Sequence, residues 1–166
     1  MSASIVVGVD GTDGGRRALE WAVRHAAAQG ARLLVASVYF DPADRPGRTP
    51  PPRVQAARKD AERHLRSDLD AVLAKAADRP QIDTIVIAGD VTAHTLAQLA
   101  ADADLLVVGS HGHGALTSRL LGTVSMGCVE SATCPVVVVP ARDRATERAT
   151  ARAAAPALAI DPAPFY

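Results

Sequence analysis

Five short apolar runs, spaced along the chain and separated by segments of helical periodicity, constrain the fold more than any other feature. They are Ile5–Val9, Arg32–Val38, Ile82–Ala88, Leu105–Val108 and Pro135–Val139. Each is too short for a stable helix, and four are rich in β-branched residues. Continuous apolar character at strand length reads as a strand covered on both faces. Pro135 is tolerated because it falls at the first position of its run.

The intervening segments read as helices. Ala18, Trp21, Ala22, His25, Ala26 and Gln29 recur at three- and four-residue spacing before Gly30, a helix stop. Val54 to Ala77 carries an inward stripe of Val54, Ala57, Ala61, Leu65, Leu69, Val72 and Ala76. Its other face is charged through Arg58, Asp60, Arg63 and Asp70, as a solvated face should be. Thr92 is expected to cap a short helix with Leu96, Leu99 and Ala100 inside, and a last helix is expected from about Gly122 to Ala132. Residues 41–53 hold five prolines and a glycine and are expected to be a loop, extended at Pro50-Pro51-Pro52.

Strand alternating with helix implies right-handed βαβ units and a parallel sheet with helices on both faces. The expected class is therefore α/β, with five strands in the doubly wound order 3-2-1-4-5. In that order the chain reverses direction between strands 1 and 4, which leaves a crevice at their carboxyl ends. The two most glycine-rich segments, Asp10–Gly14 and Gly109–Gly122, follow those same two strands.

Composition narrows the function. At 166 residues there is room for one α/β domain, and 48% apolar residues with only five aromatics imply an aliphatic core. Eighteen acidic and eighteen basic side chains cancel, so no global field recruits nucleic acid or an anionic membrane. No apolar run approaches the roughly 20 residues of a membrane span. The chain enters its first strand almost at once, without the basic lead and apolar core of a signal peptide. A cytoplasmic protein is expected. Cys128 and Cys134 form no metal or redox motif and are expected to be buried free thiols.

The segment after strand 4 is the richest in chemistry. Its glycines let the backbone approach a ligand. From Gly122 onward a helix opens, whose first amides have no internal partner and favour anions. Thr123 and Ser125 add hydroxyls beside those amides. Four or five charge-assisted hydrogen bonds of about 1.5–3 kcal/mol each suffice for the roughly 8 kcal/mol of micromolar binding, before ordering costs. The same glycines also suit tight turns, and spacing alone does not choose between the readings. Neither GxGxxG nor the lysine of GxxxxGK[ST] is present.

Gly109-x2-Gly112-x9-Gly122-Thr123 resembles the G-2x-G-9x-G-[S/T] motif of ATP-binding universal stress proteins. Val9-Asp10-Gly11-Thr12 is similar to that family's opening turn, and Cys134-Pro135 before four valines to its close. The resemblance covers about residues 3 to 140 and implies a Rossmann-like fold of the HUP type. By position, Asp10 and the backbone around Val38, at the ends of strands 1 and 2, would meet the adenosine end. Gly109 and Gly112 would run beside ribose and phosphates. Gly122, Thr123, Val124 and Ser125 would hold the phosphates, with Mg or Mn carried by the ATP. The resemblance further implies a homodimer through strand 136–139 and a regulatory role exerted on a protein partner.

Other residues support less. Asp10 is also a plain turn former. His111 and His113 lack a third metal ligand, and Arg119 is as readily solvent-facing as phosphate-binding. His25 and Trp21 belong to the packed face of helix 1, and His64 and His94 have no recognisable context. No catalytic residue is assigned, because no carboxylate pair, nucleophile–base pair or P-loop lysine is placed at the phosphates. Hydrolysis assisted by His111 or Asp13 would be slow. The alternatives are a dimeric scaffold with an empty pocket and a true ATP hydrolase. A domain of residues 1–140 is expected, followed by a tail, 141–166, that forms a marginal helix at Arg142–Arg152 or is disordered, extended after Pro156, with Phe165 and Tyr166 as an anchor.

Overall fold

In the computed structural model, which describes residues 3–44, 47, 49–110 and 121–140, strand and helix alternate along the chain. The elements are β1 (Ser4–Gly8), α1 (Asp13–Gln29), β2 (Arg32–Phe40), α2 (Pro52–Leu73), β3 (Gln81–Gly89), α3 (Thr92–Leu99), β4 (Leu105–Gly109), α4 (Thr123–Ser131) and β5 (Val136–Val139). All pairings between strands are parallel, and the order is β3-β2-β1-β4-β5, as the alternation of elements predicts.

Strand alternation divides the core in two. Ile5, Val7, Leu33, Val35 and Val107 face α1 and α2, where they meet Ala18, Leu19, Val23 and Leu65. Val6, Ala36, Leu106 and Val108 face α3 and α4, where Leu96, Ala100 and Cys128 cover them. Both faces of the central strands are buried, which is why their sequences are apolar without interruption. None of the helices among the described residues is long and apolar enough to cross a membrane.

The helix ends follow local chemistry, with instructive exceptions. Thr12 caps α1 by accepting from the Gly15 amide at 3.1 Å, and Gly30 ends it with φ 62°. The expected Val54–Ala77 helix instead runs Pro52–Leu73. Pro52 can start a helix because its missing N–H would have no partner there. Beyond Leu73 the bonds tighten, Lys75 N–H to Val72 O and Ala76 N–H to Leu73 O, while Arg79 also donates to the Leu73 carbonyl. Ala76 stays on the core face outside the helix, so the apolar period outlasts the element. Thr92 is not the cap of α3. Val91 holds that position without a side-chain bond, and Asp90 accepts from the Val91 amide at 2.8 Å. At α4, Gly122 and Ala132 are the flanking caps rather than helical residues.

Candidate functional site

The carboxyl end of β4 is packed against the start of α1, which follows β1, and glycine makes the contact. A Cβ on Gly109, the last residue of β4, would stand 2.7 Å from both C and O of Gly14 in the first turn of α1. The obstruction is backbone and cannot swing aside, so only glycine fits. A Cβ on Gly15 would fall 2.6 Å from Asp10 Oδ1. Asp10, the start of α1 and the end of β4 are therefore in mutual contact through positions without side chains.

Asp10 organises the first turn. Its Oδ1 accepts from the Thr12 amide at 3.1 Å and from the Thr12 hydroxyl at 2.6 Å. The Thr12 oxygen in turn accepts from Gly15 N–H, so one short relay joins the strand end to the helix cap. Gly11, between them, has φ 77°, a left-handed conformation natural to glycine.

The second turn is closed at its stem. Ser110 N–H donates to Val139 O at 2.7 Å, and Gly122 N–H donates to Ser110 O at 2.8 Å. The chain that leaves β4 thus returns beside it at the start of α4. Ser125, 2% exposed, donates its hydroxyl to Gly109 O at 2.6 Å and ties the first turn of α4 to the strand end.

The two helix starts differ electrostatically. α1 has a side-chain cap and an acidic residue, Asp13, in its first turn. α4 has neither among the described residues: its N-cap is Gly122, no side chain caps it, and no acid lies in its first turn. The first amide of α4 to bond back is that of Met126, to Gly122 O at 2.9 Å. The amides of Thr123, Val124 and Ser125 precede it, and among the described residues no side chain caps the positive end of α4.

Of the residues singled out in the sequence, Asp10, Gly109, Gly122, Thr123, Val124 and Ser125 belong to these two stapled turns. Gly112, His111, His113 and Arg119 lie outside the described residues, as does the tail, 141–166, with its expected helix and its Phe165–Tyr166 anchor. Val38 is on β2, paired with Ile87, and β2 continues to Phe40, so Val38 is not the strand's end. The Ser125 hydroxyl faces inward to Gly109, which leaves Thr123 as the exposed hydroxyl of the pair. His25 is half-buried and stacks on Trp21, with ring centroids 4.6 Å apart. Among the described residues no group of three or more His, Cys, Asp or Glu side chains could hold a metal ion.

Two side chains of α2 also reach this region, and neither was anticipated. His64 packs against Gly11, with Cγ and Nδ1 each 2.9 Å from where a Cβ would be. Asp68, 3% exposed, accepts from Arg16 Nε at 3.0 Å. That hydrogen bond and the carboxylate's charge push the Arg16 guanidinium above its ordinary range. Asp68 had one sequence signal: a carboxylate in line with Leu65 and Val72 on an apolar stripe. His64 had none.

The sequence profile of the Universal stress protein family matches residues 1–140. Universal stress protein Rv2623 of Mycobacterium tuberculosis is 35% identical over 145 residues, 86% of this chain and 49% of that protein. The chain thus spans about half the length of that relative. The solved UspA of Lactobacillus plantarum superposes with a TM-score of 0.67 at 25% identity, over 82% of this chain and 97% of that one. A universal stress protein solved in complex with cAMP superposes with a TM-score of 0.55 at 28% identity, over 85% and 98% of the two chains.

Proposed function

Because this chain belongs to the universal stress protein family, we propose that it binds ATP across the turns that follow β1 and β4, and that occupancy regulates a protein partner. The single observation that carries this reading is the start of α4, which among the described residues has no side-chain cap and no acid in its first turn and is stapled beside the end of β4. A helix start with open amides and no acid of its own accepts phosphate oxygens. The cAMP complex of a structural neighbour adds that this fold accommodates an adenosine phosphate in a related protein.

In this reading the amides of Thr123, Val124 and Ser125, with the Thr123 hydroxyl, hold the phosphates. Gly109 and Gly112 allow the chain to run close to ribose and phosphate. Asp10 and the backbone near Val38 meet the adenosine end. A Mg or Mn ion bound to the nucleotide would offset triphosphate charge that none of these residues neutralises. No acid–base or nucleophilic pair is assigned at the phosphates, so hydrolysis is slow or absent. A cytoplasmic location is part of the same proposal.

We also propose a homodimer in which β5 pairs with its copy. All four of its valines are only half-buried, and β5 is the last strand of the sheet. Such an edge invites pairing.

Thermal unfolding with and without Mg-ATP, AMP and cAMP tests the nucleotide reading, since a ligand at 100 times its Kd stabilises by about 2.7 kcal/mol. The expected result is a clear upward shift with at least one of them, largest for Mg-ATP. A Tm unmoved at millimolar nucleotide would instead favour a scaffold with a vestigial pocket. Many turnovers per minute in a product assay would point to a hydrolase.

A further inference from the structure

We infer that His64 is a positioning residue for the nucleotide site: its imidazole seats in the notch at Gly11 and holds the turn that aims Asp10. This rests on the nucleotide reading above and assigns a role to a side chain that the reading does not use. The notch exists because Gly11 has no side chain. A Cβ there would lie 2.9 Å from Cγ and Nδ1 of His64 and 3.1 Å from its Cβ. The ring occupies the space that any other residue would claim.

α2 makes a second contact just past this turn, at the start of α1. One helical turn beyond His64, on the same face, Asp68 accepts from Arg16 Nε at 3.0 Å. The two contacts bracket the relay that orients Asp10. Gly11 lies just before Thr12, whose amide and hydroxyl both donate to Asp10 Oδ1. Arg16 lies just after Gly15, whose amide donates to Thr12. α2 therefore grips this turn at both ends. The ends differ in character: Asp68 is buried, whereas His64 is exposed. Removing the Asp68 contact disturbs the interface between helices. Removing the imidazole takes nothing out of the core, so an effect of His64 on the turn is separable from an effect on the fold.

The full chain is compared with His64→Ala and His64→Phe, the latter keeping a flat ring without its nitrogens. Two quantities are read: amide hydrogen exchange without nucleotide, and Kd for Mg-ATP by calorimetry. His64→Ala is expected to speed exchange at the Thr12 and Gly15 amides about tenfold, while the amides of β4 keep their wild-type rates. Its Kd is expected to rise about fivefold, and His64→Phe is expected to restore both. Unchanged exchange at Thr12 and Gly15 overturns the inference. So does acceleration spread evenly over the sheet, which would mark a general loss of stability, or faster exchange with an unchanged Kd. A Kd that His64→Phe fails to restore also overturns it, in favour of direct contact between an imidazole nitrogen and the ligand. If the wild-type chain binds no nucleotide, the reading of the site fails by itself, and exchange at Thr12 and Gly15 still decides whether His64 holds the turn.

Discussion

Gly109 shows how much one absent methyl group can decide. The atoms that a Cβ would meet are the carbonyl carbon and oxygen of Gly14, at 2.7 Å, and no rotamer change can move them. Gly109→Ala must therefore push β4 away from α1. A loss of about 1–3 kcal/mol is expected from urea unfolding, together with weaker nucleotide binding. Cys128 gives a pH-dependent counterpart. It is fully buried beneath α3, and that burial raises its thiol from 9.0 to about 11. The unfolded chain releases this proton first as pH rises, so the folded state binds more protons between those values. Stability then falls as pH climbs through that window, by about 2–3 kcal/mol in total. Urea unfolding at about pH 8 and about pH 10.5 should show a steeper loss in the wild type than in Cys128→Ala.

Pairs of helices carry the next set of consequences. Asp68 is 3% exposed, and its Oδ2 has no hydrogen-bond partner among the described residues, whereas the Arg16 side chain is 41% exposed. Arg16→Ala strands a buried carboxylate and is expected to cost about 3 kcal/mol. Asp68→Ala leaves a guanidinium that can turn to water, and is expected to cost nearer 1 kcal/mol. Equal losses in chemical denaturation would contradict this account of the α1–α2 contact. At α4 the backbone of Gly122, φ −64° and ψ 157°, suits any residue. Gly122→Asp supplies the helix with a cap and a negative charge where phosphate is proposed to sit. The ligand-free protein should keep its Tm or gain slightly, while the Mg-ATP shift disappears. Retention of that shift would remove α4 from the site.

Among the described residues the sheet has two edges, one at β3 and one at β5. Along β5, the carbonyls of Pro135 and Val139 accept from Leu106 and Ser110, so these residues face the sheet. Alternation along a parallel ladder then turns the backbones of Val136 and Val138 outward. Val138→Pro removes an outward N–H without breaking a bond to β4. In the proposed homodimer it should yield a folded monomer by light scattering, with the circular dichroism of the wild type. An unchanged mass would direct attention to other surfaces, such as the exposed Met126 and Val129 of α4.

Strand number and strand order were legible before any coordinate, because each follows from a local pattern. Apolar runs make strands, turn residues end them, and the handedness of βαβ units leaves few ways to order them. The stop at Gly30 was equally local. The end of α2 was not: Ala76 kept the apolar period after the hydrogen bonds had changed. Nor were His64 on Gly11, the inward hydroxyl of Ser125, or the bond between Arg16 and Asp68, 52 positions apart. Such contacts depend on how two helices and a strand end settle at ångström distances. Periodicity records which face a residue occupies, and only packing decides what it touches there.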